Sequence, residues 1–401
     1  MNLVAIDIRS LPIGQPLPFA LHSAKGVLLA PRGYRIGSPA ELAAIEGRGV
    51  QVCVDIDEAA ASHRNFMGQL QQMLRKDTPL GQIAAMKLRL ATGSPRAAPG
   101  QGRQDWHELQ QRASQLLHTP AQGRLVQRVQ DMVLELEQLG QENADATLLA
   151  LIYLSGQAPH QYSATHALLV ASACMLTARQ TLQWPAARVR TLGQAALTMN
   201  LAMTALQDTL ALQTEPLTAG QLQQIQAHAQ ASRALLAECG VDDPLWLQAV
   251  ALHHQPPTGA ALAAQAPGEQ MARLIQRADV FGARIAPRAT RHAMPVTAAV
   301  QAIYYDERRA VDEAGAALLR TLGVYPPGAF VRLASDEVAV VLRRGASATT
   351  PRVAVVLGRS GMPTGEPIPR DSAQEAHRIV ASLAPHELRL QVALERLLKL
   401  P

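Results

Sequence analysis

The chain has 401 residues, 48% of them hydrophobic and 17% charged, with a net charge of +5. That length holds two or three domains with at least one substantial core, and the composition excludes a largely disordered chain. Aromatic residues make up only 3%, and the short basic stretches "VLRRG" and "RLLKL" carry none, which excludes a base-stacking nucleic-acid platform.

No run of about 18 uncharged apolar residues occurs, so no membrane span is expected. The start, "MNLVAIDIRSLPIG", has no basic segment leading into an apolar one, and a soluble cytoplasmic protein is expected. Cys53, Cys174 and Cys239 lie far apart without a CxxC pair. They give neither a disulfide framework nor a zinc ribbon, and each reads as a small core residue.

Residues 1–56 alternate short apolar runs with Gly and Pro. They predict a small β-rich module with one helix over 39–46. Residues 57–91 are helix-prone, and "TGSPRAAPGQGRQ" over 92–104 reads as a linker closing the 57–105 segment. Helical patterns then run from Trp106 to about Tyr305 within a domain spanning 106–328. Residues 329–357 switch to β-branched runs, and a last helix is predicted over 385–399, so that 329–401 forms a hairpin-like extension with a terminal helix. The expected fold is mainly α: a helical bundle preceded by a β-rich module and followed by a short β-element.

Within the helical domain, several metal-capable side chains fall on apolar faces. His228 shares a stripe with Leu222, Ile225, Ser232, Leu235 and Leu236, and His166 shares one with Leu169, Val170 and Ala173. Asp279 lies at the edge of the stripe Leu274, Ile275, Ala278, Phe281 and Ile285. His253 and His254, in "LHHQPPTGAAL", end a helix carrying Trp246 and Val250. A buried His or Asp needs a partner. Taken singly, each reads as a hydrogen-bonded core residue; several converging in one domain point to a metal site.

This residue order resembles the HD-GYP family, a branch of the HD phosphohydrolases. The resemblance rests on His166 in "YSATHALLVA", His228 in "LTAGQLQQIQAHA", the pair in "ALHHQPPTG" and Asp279 in "RLIQRADVFGA". "RATRHAMPVTAAV" looks like the family's arginine segment, and "LLRTLGVYPPGAFVRLASDEVAVVLR" resembles its C-terminal extension. The match runs from about residue 106 to 357.

The resemblance implies an all-helical domain that binds two or three divalent metals, iron or manganese, and hydrolyses cyclic di-GMP. It implies His166, His228, His253, His254 and Asp279 as metal ligands, and Arg288 and Arg291 beside the ligand's phosphates. The name-giving pair is absent. Where the family has "AALLHDIGK" this chain has "AALTMNLAM", which puts Met199, Asn200 and Met203 at the His, Asp and Lys positions. After the paired histidines only Gly259 remains of the second signature.

Two divalent ions about 3.5–4 Å apart need bridging anionic charge. At an effective dielectric near 20, their repulsion is on the order of 17 kcal/mol. Asn200 offers one neutral carbonyl oxygen, and Met199 a soft thioether unsuited to such ions. Met203 removes a phosphate-neutralising cation. Met199 and Met203 also fit an apolar stripe with Val189, Leu192, Ala196 and Leu206.

Three readings follow. The first is a catalytically inactive HD-GYP-like scaffold or sensor in bacterial cyclic-di-GMP-type signalling, with the N-terminal module as a partner or ligand platform. The second is an active metal-dependent cyclic di-GMP phosphodiesterase with an altered site, and the third a non-enzymatic adaptor similar to HDOD domains. In the first reading the histidines hold no metal or one labile ion. The partners are cyclic di-GMP, signalling proteins and a second copy of the chain as a homodimer.

Overall fold

The structure, a computed structural model, describes residues 3–5, 21–23, 28–30 and 52–55, and then 105–400 apart from 122, 158–160, 257–259, 307–308 and 389–391. The chain divides into two compact units, Met1–Arg103 and Gln104–Pro401. In the first, β1 (Leu3–Ala5), β2 (Leu21–Ser23), β3 (Leu28–Ala30) and β4 (Val52–Asp55) form an antiparallel sheet in the order β1-β4-β2-β3. The helices predicted over 39–46 and within 57–91, and the linker over 92–104, lie outside the described residues.

The second unit is mainly helical. Its helices are α1 (Trp106–His118), α2 (Leu125–Glu142), α3 (Ala144–Ser155), α4 (Tyr162–Gln180), α5 (Ala186–Thr198), α6 (Thr204–Leu212), α7 (Ala219–Glu238), α8 (Pro244–Leu252), α9 (Pro267–Ile285), α10 (Val296–Ile303) and α11 (Glu313–Leu322). Among the described residues, no helix is long and apolar enough to cross a membrane.

Helix α4 is the central rod. Every residue from Tyr162 to Ala178 is buried, so His166 sits on a helix wrapped on all sides rather than on one inward face. Asp208 of α6 pins its start, accepting from the Ser163 amide and hydroxyl at 2.8 Å each. That carboxylate replaces the missing side-chain cap at Gln161, which adopts a left-handed backbone. Against α4 lies α9, whose predicted stripe of Leu274, Ile275, Ala278, Phe281 and Ile285 is fully in the core. Its Pro at the first turn suits a helix start.

Two local expectations are corrected. Leu222 is 44% exposed, because the first half of α7 runs beyond the core and only His228, Ala229, Ser232 and Leu236 of that helix are buried. Met199 and Met203 do not share one helical stripe. α5 ends at Thr198, and Met203 lies half-buried in the 3-10 turn Leu201–Met203, while Met199 is buried.

After α11, five antiparallel strands form a second sheet in the order β8-β7-β6-β5-β9: β5 (Phe330–Leu333), β6 (Val338–Arg343), β7 (Arg352–Leu357), β8 (Pro363–Asp371) and β9 (Ile379–Leu383). The β-branched runs of the sequence end with β7. β8 carries Pro363, Pro367 and Pro369, which suppress a strand signal yet suit an edge strand that need not donate outward. Among the described residues, the helix predicted over 385–399 is reduced to a 3-10 turn, Pro385–Glu387, and the single turn α12 (Leu394–Leu397). The sheet continues the helical core: Phe330 packs on Tyr153, whose hydroxyl donates to the Val392 carbonyl at 2.7 Å.

Candidate metal centre

Four helices bring the sequence-predicted ligands to one place. His166 comes from α4, His228 from the buried half of α7, His253 and His254 from the end of α8, and Asp279 from α9. Helix α8 is capped by Asp243, which accepts from the amides of Leu245 and Trp246, and anchored by the Trp246 indole donating to Thr198 Oγ1 at 2.9 Å. Its last turn therefore ends at a fixed point.

The site has two parts. In the first, His228, His253 and His254 each present one ring nitrogen, all within 4.8 Å of one another. His253 Nδ1 bonds the Val250 carbonyl at 2.6 Å, and His228 Nδ1 bonds that of Ile225. A carbonyl only accepts, so both Nδ1 atoms carry the hydrogen, and the two Nε2 lone pairs face each other at 3.2 Å. Backbone carbonyls holding Nδ1–H are the usual support of ligating histidines. Burial pushes the His253 imidazolium down to about 4, aided by the His254 charge, and burial likewise lowers His228. Near neutral pH the lone pairs stay unprotonated. This donor set fits one divalent ion of the imidazole-preferring kind.

In the second part, His166 Nε2 contacts Asp279 Oδ1 at 2.7 Å, and His254 Nε2 lies 4.0 Å from Asp279 Oδ2. Burial alone would raise the Asp279 carboxyl. The His166 hydrogen bond and the charges of His166, His253 and His254 outweigh it and hold the carboxylate well below its ordinary range. Gly282, one turn beyond Asp279, makes room for the imidazole: a Cβ there would stand 3.0 Å from His166 Nδ1. In the sequence, the signal for Gly282 is its spacing of three from Asp279 on the same helix.

The positions of the missing pair adjoin this second part. Met199 and Asn200 line a cavity with His166, Ser163, Thr204 and Gln207 whose volume is about 10 Å³, room for about one water. Neither supplies an anion. The histidine trio fits one ion, and the carboxylate of this region is that of Asp279, between His166 and His254.

Arg288 and Arg291 do not project together. Arg288 donates to the Tyr162 hydroxyl at 2.9 Å and lies over that ring, which stacks on His166 with 5.5 Å between centroids. The exposed Arg291 turns back onto the Ala283 carbonyl.

Fold and site together define a helical histidine–aspartate domain with an attached antiparallel sheet. No family model matches the sequence. The chain is similar to a cyclic di-GMP phosphodiesterase of Pseudomonas aeruginosa, 28% identical over 221 residues, 54% of this chain and 53% of that protein. It thus spans about half the length of the curated relative it matches. Among solved structures, an HDGYP protein of Bdellovibrio bacteriovorus is similar with a TM-score of 0.44 and 14% identity, over 79% of this chain and 98% of that one. The likeness to a cyclic di-GMP phosphodiesterase agrees with the resemblance read from the sequence.

Proposed function

We propose that the chain is a catalytically inactive HD-GYP-like protein, a scaffold or sensor in bacterial cyclic-di-GMP-type signalling that works in the cytoplasm. The observation that carries this reading is the chemistry at positions 199 and 200. A thioether and a neutral amide stand beside His166, where a dinuclear centre needs a bridging carboxylate. Without that anion, a second divalent ion is not held beside the first, and no metal-bound hydroxide is placed for in-line attack on a phosphodiester.

The histidine trio retains a different capacity. His228, His253 and His254 would hold one ion, iron or manganese by the family resemblance, and that ion would tie α7 to α8. Its role is then to fix the surface that a partner reads. Cyclic di-GMP is the candidate small ligand, and a signalling protein is the candidate partner.

The experiment pairs metal analysis of the purified full chain with a cyclic di-GMP hydrolysis assay in manganese. The expected result is about one ion per chain and no turnover. Turnover abolished by His253→Ala would return the protein to the phosphodiesterases.

A further inference from the structure

Helix α7 is held to the domain by few side chains. Of its 20 residues only His228, Ala229, Ser232 and Leu236 are buried, with Leu235 partly so beside them. Ala229 and Ser232 are small, which leaves Leu236 as the one fully buried large apolar anchor. Two polar ties add to it: Ser232 Oγ accepts from the Ala202 amide at 3.0 Å, and Gln230 donates to the Ala251 carbonyl at 3.2 Å. The other helices of the metal centre are held better. α4 is buried from Tyr162 to Ala178, α9 has eleven buried residues in 19, and α8 is fixed by Trp246 and its bond to Thr198. Local opening begins where buried contact is least, and here that is α7.

The remaining attachment is His228 itself. Its Nδ1–H is donated to the Ile225 carbonyl inside α7, and that of His253 to the Val250 carbonyl inside α8. Neither bond crosses between the helices. The two rings meet through their Nε2 lone pairs, 3.2 Å apart, a contact that repels by itself and attracts once a divalent cation accepts both. His254 adds a third nitrogen from the α8 side. One ligand thus comes from α7 and two from the end of α8, so an ion links the weakly anchored helix to the firmly anchored one.

We propose that α7 is a metal-gated arm. A divalent ion on His228, His253 and His254 docks it, and loss of the ion releases it while α4, α8 and α9 stay folded. The input is metal supply, and the output is the order of residues 219–238. This inference rests on the one-ion reading of the trio and adds what that ion controls.

Hydrogen exchange of the full chain, read by mass spectrometry, tests it. The chain is compared in manganese(II), in zinc(II) and in chelator, and elemental analysis counts the ion bound. In chelator, peptides from α7 should exchange well ahead of those from α4 and α9. With an ion at about hundredfold saturation, α7 exchange should slow roughly a hundredfold, because only the docked helix completes the site. In His228→Gln, α7 should exchange fast under every condition while α4 and α9 keep their protection; if that variant does not fold, the wild-type comparison decides. A bound ion that leaves α7 exchange unchanged would overturn the gate alone, as would α7, α4 and α9 exchanging together in chelator. A chain that retains neither metal would overturn the one-ion reading and the gate together.

Discussion

The Nε2 atoms of His228 and His253 lie 3.2 Å apart, each on a ring whose other nitrogen is tied to a backbone carbonyl. Two lone pairs held face to face repel unless a cation lies between them. With the His253 imidazolium pushed down to about 4 by burial and by His254, a proton is a poor candidate near neutral pH. A metal ion fits better.

Metal removal should therefore cost stability. If one ion binds the folded chain only, chelation at hundredfold saturation removes about 2.7 kcal/mol. A thermal melt with and without chelator checks this. His228→Ala should melt at the same temperature in both conditions.

Restoring the missing pair should restore a second ion. In the Met199→His, Asn200→Asp double variant, an imidazole and a carboxylate enter the cavity beside His166, supplying the anion that offsets metal–metal repulsion. Elemental analysis should move from about one ion per chain towards two. An unchanged count would show that losing the pair is not what limits the site.

A buried charge network on the other side of α9 should be the domain's most sensitive polar point. Asp312 accepts from Arg273 Nε at 2.8 Å and from Arg273 Nη2, lies 3.4 Å from Arg277 Nε, and caps α11 through the Gly315 amide. All three charged residues are buried. Asp312→Ala leaves two cations without this anion and should cost roughly 3–5 kcal/mol in denaturant unfolding, whereas Asp312→Asn keeps the cap and should cost less.

Cys174 should be inert in the native state. It is fully buried in the core beside α9, and burial raises its thiol far above the usual range. Brief alkylation near pH 8 followed by peptide mass analysis should leave Cys174 unmodified until denaturant is added. Labelling at the rate of an unfolded thiol would show local opening of α4.

The helical domain was legible where its pattern was local. The stripe on α9 reads directly from residues 274–285, and Asp279 falls at its edge as the period requires. Asp243 and Pro244 mark the start of α8. The prolines of β8 had the opposite effect: they hid a strand whose partner lies in β7, since pairing depends on residues distant in sequence.

Helix α4 shows the same limit. Periodicity assigns it one apolar face, yet it is enclosed on every side, a fact that belongs to its neighbours. Leu222 errs the other way, matching the stripe of His228 while lying beyond the reach of the core.

By itself, the sequence determined which donors exist: four histidines and one aspartate on predicted helices, with a thioether and an amide where a His-Asp pair would stand. Those are covalent facts, and no folding alters them. Only the tertiary structure decided how the donors divide, with His228, His253 and His254 converging on one another while His166 turns to Asp279. Ligand grouping depends on distances of a few ångströms between helices far apart in the chain, and those distances are set by packing.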